Sequence, residues 1–117
     1  MDNIRFLFRG IKIDNLTEEY IKKKLKTLKK ILSGEAYFEV EIDLDKKGKF
    51  RVEIMIKMLG ELYRAEETTD SIEGSIDVVE SELRVQIMRD KERTATLRMR
   101  GRRSIKKKLV VDGNARF

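Results

Sequence analysis

The chain opens on a two-residue rhythm. Ile4, Phe6 and Phe8 alternate with Arg5, Leu7 and Arg9, which predicts a strand with an apolar inner side. Gly10 to Ile13 lead into a turn, and the period then lengthens: Ile21, Leu25, Leu28 and Leu32 recur at helical spacing and make a buried stripe. Asp14 is the expected cap of this helix, Thr17 is its rival, and Gly34 closes it. Alternation returns with Phe38, Val40, Ile42 and Leu44 set against Glu39, Glu41, Asp43 and Asp45, a strand with one apolar and one acidic face. Lys46, Lys47, Gly48 and Lys49 supply a hairpin turn, and Phe50, Val52, Ile54, Ile56 and Met58 form the return strand. Gly60 and Glu61 turn the chain into a fourth strand, Tyr63 to Thr68.

A second helix follows. Asp70, Ser71, Ile72 and Glu73 read as a capping box, and Ile72, Ile76, Val79, Leu83 and Ile87 as a buried stripe, with the helix running to about Arg93. Its first half carries Glu73, Asp77, Glu80 and Glu82 and its second half Arg84, Arg89, Lys91 and Arg93, an order that complements the helix dipole. From Thr94 the periodicity fades, and RMRGRRSIKKKLVVDGNARF has the composition of a mobile arm. The order predicts an α+β fold, β-α-β-β-β-α: a four-stranded sheet with both helices packed on one face and a right-handed first crossover between parallel strands. Residues 1–95 form the expected domain and residues 96–117 a basic flexible tail or linker.

Composition then removes whole classes of chemistry. The 117 residues contain no cysteine and no histidine, so disulfides, thiolate zinc sites, cysteine nucleophiles and imidazole acid–base catalysis are excluded. Gly10, Gly34, Gly48 and Gly60 are scattered over separate turns and form no nucleotide-binding fingerprint. A carboxylate pair or divalent-metal site on the acidic strand is outweighed by pairing of those acids with Arg5, Arg51 and Lys57 across the sheet. The reading is a protein that is not an enzyme and uses no cofactor, metal or small-molecule substrate. No apolar run approaches the roughly 20 residues that span a bilayer, and Asp2 and Arg5 interrupt any signal-peptide pattern, so a cytoplasmic protein without a membrane partner is expected.

Charge is segregated by element. Residues 15–34 hold six lysines against Glu18 and Glu19, residues 35–45 hold five acids and no base, and residues 94–117 hold eight bases against Asp112 alone. At about 100° per residue, Lys22, Lys26 and Lys29 gather on one flank of the first helix, Lys23 and Lys30 lie just beyond, and Lys24 stands on the other side. Like charges one turn apart repel by roughly 0.2–0.5 kcal/mol per pair. Such a face is either a solvated surface or a site for phosphates, whose counterions it releases on binding. An acidic sheet face opposite it would orient the molecule before contact, so charge reversal there is expected to change association rate. Tyr20, Tyr37 and Tyr63 are read as packing at the core edge or on the sheet, in preference to stacking on bases.

Taken together, ID, EEYIKKKLKTLKK, the hairpin and above all YRAEETTDSIEGSIDVVESEL resemble the ribosome hibernation-promoting factor family, also called the ribosome-associated inhibitor or sigma-54 modulation family. The likeness spans residues 3 to about 93 and rests most on Arg64, Ala65, Glu66, Glu67 and Asp70, with Ile76, Asp77, Leu83 and Gln86 in the second helix. It implies the same element order, a relative of the double-stranded RNA-binding domain fold. It also implies binding to the small ribosomal subunit in the channel for messenger RNA and tRNA, steric inhibition of translation and stabilisation of idle ribosomes. The implied partners are that subunit and its ribosomal RNA, with ribosomal proteins as further candidates. The implied RNA-binding residues are Lys22, Lys23, Lys26, Lys29, Lys30, Arg84, Arg89 and Lys91.

The sequence departs from the family at Val85 and Met88, where relatives commonly carry a base, and at Glu82, which replaces a frequent lysine. In the tail, Arg98, Arg100, Arg102, Arg103, Lys106, Lys107 and Lys108 are weaker candidates, as an RNA-binding arm or as the start of a long member's linker. Two other readings stay open: a general binder of structured RNA, and a protein-binding regulator acting through the sheet or tail.

Overall fold

In a computed structural model of the chain, residues 3–114 are described, with side chains over residues 3–95. The elements are β1 (Ile4–Arg9), α1 (Asn15–Lys29), β2 (Tyr37–Leu44), β3 (Phe50–Met58), β4 (Glu61–Thr69) and α2 (Ile72–Asn114). The sheet runs in the order β1-β2-β3-β4, with β1 parallel to β2 and the other two pairings antiparallel. This is the expected β-α-β-β-β-α architecture. Because side chains alternate across a strand, Phe38, Val40 and Ile42 face the same way as Val52, Ile54 and Ile56, which sit opposite them in register. All six are buried, together with Ile21, Leu25 and Leu28 of α1 and Ile76, Val79, Leu83 and Ile87 of α2. The two helical stripes therefore close over one face of the sheet, and each fully buried Leu, Ile or Phe stabilises it by roughly 1.5–3 kcal/mol.

Local chemistry settles the element ends. Asp14 is the cap of α1: its Oδ1 accepts from the Thr17 amide at 2.8 Å. That bond holds the Asp14 carboxyl below its ordinary value. At the other end the helix stops at Lys29 with Lys30 still in a helical conformation, so Gly34 does not close it. Tightened bonds from Ile31 to Leu28 and from Leu32 to Lys29 finish the last turn. In the β2–β3 hairpin the work falls to Asp45, which the alternation had placed in the strand. Its Oδ1 accepts from the amides of Lys47 and Lys49, both at 2.9 Å, and Gly48 takes the φ of 81° that the turn requires.

The start of α2 is a serine cap and not a capping box. Ser71 Oγ accepts from the Gly74 amide at 2.9 Å, and the third helical position, where a box needs Glu or Gln, is Gly74. A side chain there would bring a Cβ to 2.8 Å from Ser71 Oγ and 3.0 Å from Thr69 Oγ1, so glycine fits where other residues crowd the cap. Ser75, fully buried, donates to the Phe50 carbonyl at 2.7 Å and accepts from the Thr69 amide at 3.0 Å, tying the helix to the ends of β3 and β4.

The second helix runs past the expected end near Arg93 to Asn114. The chain lacks proline, and Leu, Met, Arg and Lys between Thr94 and Leu109 are good helix formers, against which Gly101 alone weighs roughly 1 kcal/mol. The expected helix end near Arg93 underrated that propensity. Two units are distinguished, Met1–Ile87 and Met88–Phe117; the sheet, α1 and the first turns of α2 make up the first.

Candidate nucleic-acid interface

Five of the expected residues come together on α1. Lys22, Lys23, Lys26, Lys29 and Lys30 are all exposed. With Ile21, Leu25 and Leu28 fixing the buried side, they occupy an arc of about 120° on the solvent side of the helix. Among the described residues, only Lys22 has an acid close by, Glu18 one turn earlier at 3.5 Å. Lys24 points elsewhere, toward α2, where Asp77 lies at 3.3 Å.

The seam between the helices holds polar residues whose pairing the sequence reading missed. Tyr20, Lys24 and Thr27 on α1 face Asp77, Glu80 and Arg84 on α2. Tyr20 donates its hydroxyl proton to Asp77 Oδ1 at 2.5 Å, and Lys24 Nζ stands 5.5 Å from the Tyr20 ring centre. The hydrogen bond from Tyr20, then the pull of Lys24, hold the Asp77 carboxyl below its ordinary value. The same bond pushes the Tyr20 phenol up, and the bond to Asp77 pushes the Lys24 ammonium up. A second polar stripe at helical spacing on each helix was the available signal.

Arg84, an expected RNA ligand, belongs to this seam: it pairs with Glu80 one turn earlier and reaches Thr27 Oγ1 at 3.2 Å. Arg89 and Lys91 are exposed on α2 within the unit Met88–Phe117 and are not assigned to the α1 face. The side chains of Arg98, Arg100, Arg102, Arg103, Lys106, Lys107 and Lys108 lie outside the described residues. Tyr63 and Tyr20 pack against the core as expected, whereas Tyr37 is 57% exposed.

The outer face of the sheet is not acidic. Glu39, Glu41 and Asp43 of β2 do share it, but the register brings in Arg5 and Arg9 from β1, Arg51, Glu53 and Lys57 from β3, and Arg64 and Glu66 from β4. Bases and acids match one for one. Arg51 is the hub, with Asp43 at 3.0 Å, Glu53 at 3.2 Å, Glu66 at 2.5 Å and Glu41 at 3.8 Å. Arg64 pairs with Glu53, Arg9 with Glu41 at 3.2 Å and Lys57 with Glu39 at 3.1 Å. Burial pushes the Glu53 carboxyl up, yet the hydrogen bonds and charges of Arg64 and Arg51 outweigh it and leave the group below its ordinary value. The expected steering field from an acidic sheet is therefore absent among these residues, because neighbouring strands neutralise it in the plane. No group of three or more acids among the described residues is arranged to hold a metal ion.

The family described as sigma 54 modulation protein / S30EA ribosomal protein matches residues 4–95. The chain belongs to that family. The N-terminal domain of Protein Y from Thermus thermophilus is similar at 32% identity with a TM-score of 0.67, over 74% of this chain and 97% of that one. A ribosomal subunit interface protein from Coxiella burnetii, 20% identical, shares the fold with a TM-score of 0.66, over 76% of this chain and 97% of its own. No curated protein matches at a significant level.

Residues that carried the likeness to this S30EA family hold the body together. Ala65 is buried, Arg64 joins the sheet network, and Asp77 anchors Tyr20 and Lys24. Gln86 donates from Nε2 to the Arg64 carbonyl at 2.9 Å and so fastens α2 to β4. Lys22, Lys23, Lys26, Lys29 and Lys30 take no part in that framework.

Proposed function

We propose that this S30EA-family protein is a ribosome-associated factor that binds the small subunit in the mRNA and tRNA channel. It acts without catalysis, inhibiting translation by occupying the path and stabilising idle ribosomes. The observation that carries the reading is the arc of five exposed lysines on a rigid, core-anchored helix in a member of a family described by its ribosomal proteins. Ribosomal RNA phosphates are the chemistry such a face suits, since ammonium groups need little directional fit and their binding releases counterions. Arg84 contributes from α2, while Arg89, Lys91 and the basic residues 96–117 add charge beyond the first unit. Residues 1–95 act as the binding domain and residues 96–117 as a basic arm or linker. No helix among the described residues is long and apolar enough to cross a membrane, and a cytoplasmic site of action fits this partner.

Sedimentation with purified small subunits over a salt series tests the proposal. With about five phosphate contacts, the log–log slope of affinity against salt is expected near −4, on the relation established for DNA. Added tRNA and messenger RNA are expected to compete. A flat salt response overturns the proposal; competition by generic duplex RNA but not by tRNA would replace it with a general binder of structured RNA.

A further inference from the structure

An acid at the edge of a phosphate-binding surface is a puzzle, and Glu80 is one. Its side chain is only 11% exposed, at the seam where α2 meets α1. Glu80 Oε2 accepts from Arg84 Nη2 and faces Thr27 Oγ1 at 2.9 Å. The single proton of Thr27 is shared between that oxygen and the Lys24 carbonyl at 2.7 Å, and its lone pair receives Arg84 Nη2 at 3.2 Å. Among the described residues Nη2 alone of the Arg84 donors is engaged, and the side chain remains 43% exposed. Lys23 lies one turn before Thr27 and Lys30 one turn after, both exposed, so Arg84 is the point at which α2 reaches the lysine arc.

We infer that Glu80 and Thr27 are positioning residues that hold the Arg84 guanidinium in a fixed plane, its free Nη1 donor presented to an RNA phosphate between Lys23 and Lys30. This rests on the ribosomal-RNA reading above. A guanidinium already held in one plane by a carboxylate and a hydroxyl loses less freedom on donating to a phosphate than a free one. The lysines supply charge with little orientation; the clamped arginine supplies direction.

Charge alone and positioning make opposite predictions, because removing Glu80 removes repulsion toward phosphate. Glu80→Met keeps length and helix propensity while deleting the acceptor. It is expected to weaken binding to purified small subunits by roughly fivefold, and Thr27→Val, which changes no charge, by about threefold. In an Arg84→Lys background, Glu80→Met is expected to cause no further loss, since there is no guanidinium left to orient. Thermal unfolding of each variant separates folding from binding; should Glu80→Met fail to fold, Thr27→Val decides.

Binding by Glu80→Met as tight as or tighter than the parent, unchanged binding by Thr27→Val, or a full additional loss in the Arg84→Lys background would each overturn the inference. Reversal of Lys22, Lys26 and Lys29 to glutamate in parallel tells the two proposals apart. If that variant loses binding while Glu80→Met does not, the inference alone fails; if it binds as before, the lysine face is not the ribosomal contact and the reading on which the inference rests fails with it.

Discussion

At the scale of single residues, the seam between the helices carries consequences that hydrophobic patterning does not foretell. Tyr20→Phe removes the hydroxyl donated to Asp77 and is expected to cost about 0.5 kcal/mol, at the low end for a hydrogen bond because both groups stay open to solvent. The folded-state pKa of Asp77 lies below its ordinary 3.8, so this contribution is complete above that pH and is lost as the pH falls through the folded value. Thermal unfolding of parent and variant from pH 7 downward is expected to show a gap that closes below 3.8. A gap that widens in acid would mean the hydroxyl does not act through the carboxylate. What sequence reading got right here was local: Asp14 as cap, and Lys24 set apart from the other lysines. What it missed were partners distant in the chain, since nothing in a single sequence states that residue 20 meets residue 77.

At the scale of elements, period gave the strands and the starts of both helices, while their ends depended on particular contacts. The box expected at α2 failed because the third position is Gly74, and the turn after β2 reached back to take Asp45. The sheet's outer face shows why charge read strand by strand misleads: β2 is acidic alone but neutral in its register. Arg51, with four carboxylates within 4 Å and a side chain only 28% exposed, is the keystone of that balance. Arg51→Leu is expected to lower stability in urea unfolding at pH 7 by about 1–3 kcal/mol, less than for a fully buried pair because water reaches the site. The Glu53 carboxyl sits below its ordinary 4.5 in the folded protein, and its stabilising share fades as the pH falls below that value. The deficit of Arg51→Leu should fade with it; an undiminished deficit in acid would point to lost packing in place of lost pairing.

At the scale of the whole molecule, element order and family membership were legible in the sequence because strand alternation, two helical stripes and a distinctive fourth-strand segment all agree. The lysine face was legible as a pattern, and burial of its opposite stripe confirms which side meets solvent. Its ligand is a matter for binding. Replacement of Lys22, Lys26 and Lys29 together by glutamate exchanges attraction for repulsion at three contacts. It is expected to weaken small-subunit association at least a hundredfold at physiological salt, with thermal unfolding changed little because all three are exposed. Retained association, measured by cosedimentation, would shift attention to the sheet or the basic C-terminal residues.

The self-cancelling checkerboard on the sheet has one more implication. A small cationic protein among long polyanions risks becoming glue, bridging two strands wherever charge shows on two sides. Here the strand surface offers a second polyanion no net attraction, so in the body of the molecule adhesion is confined to the helical side. On the function proposed above, a factor built this way would bind in one orientation and leave its back inert.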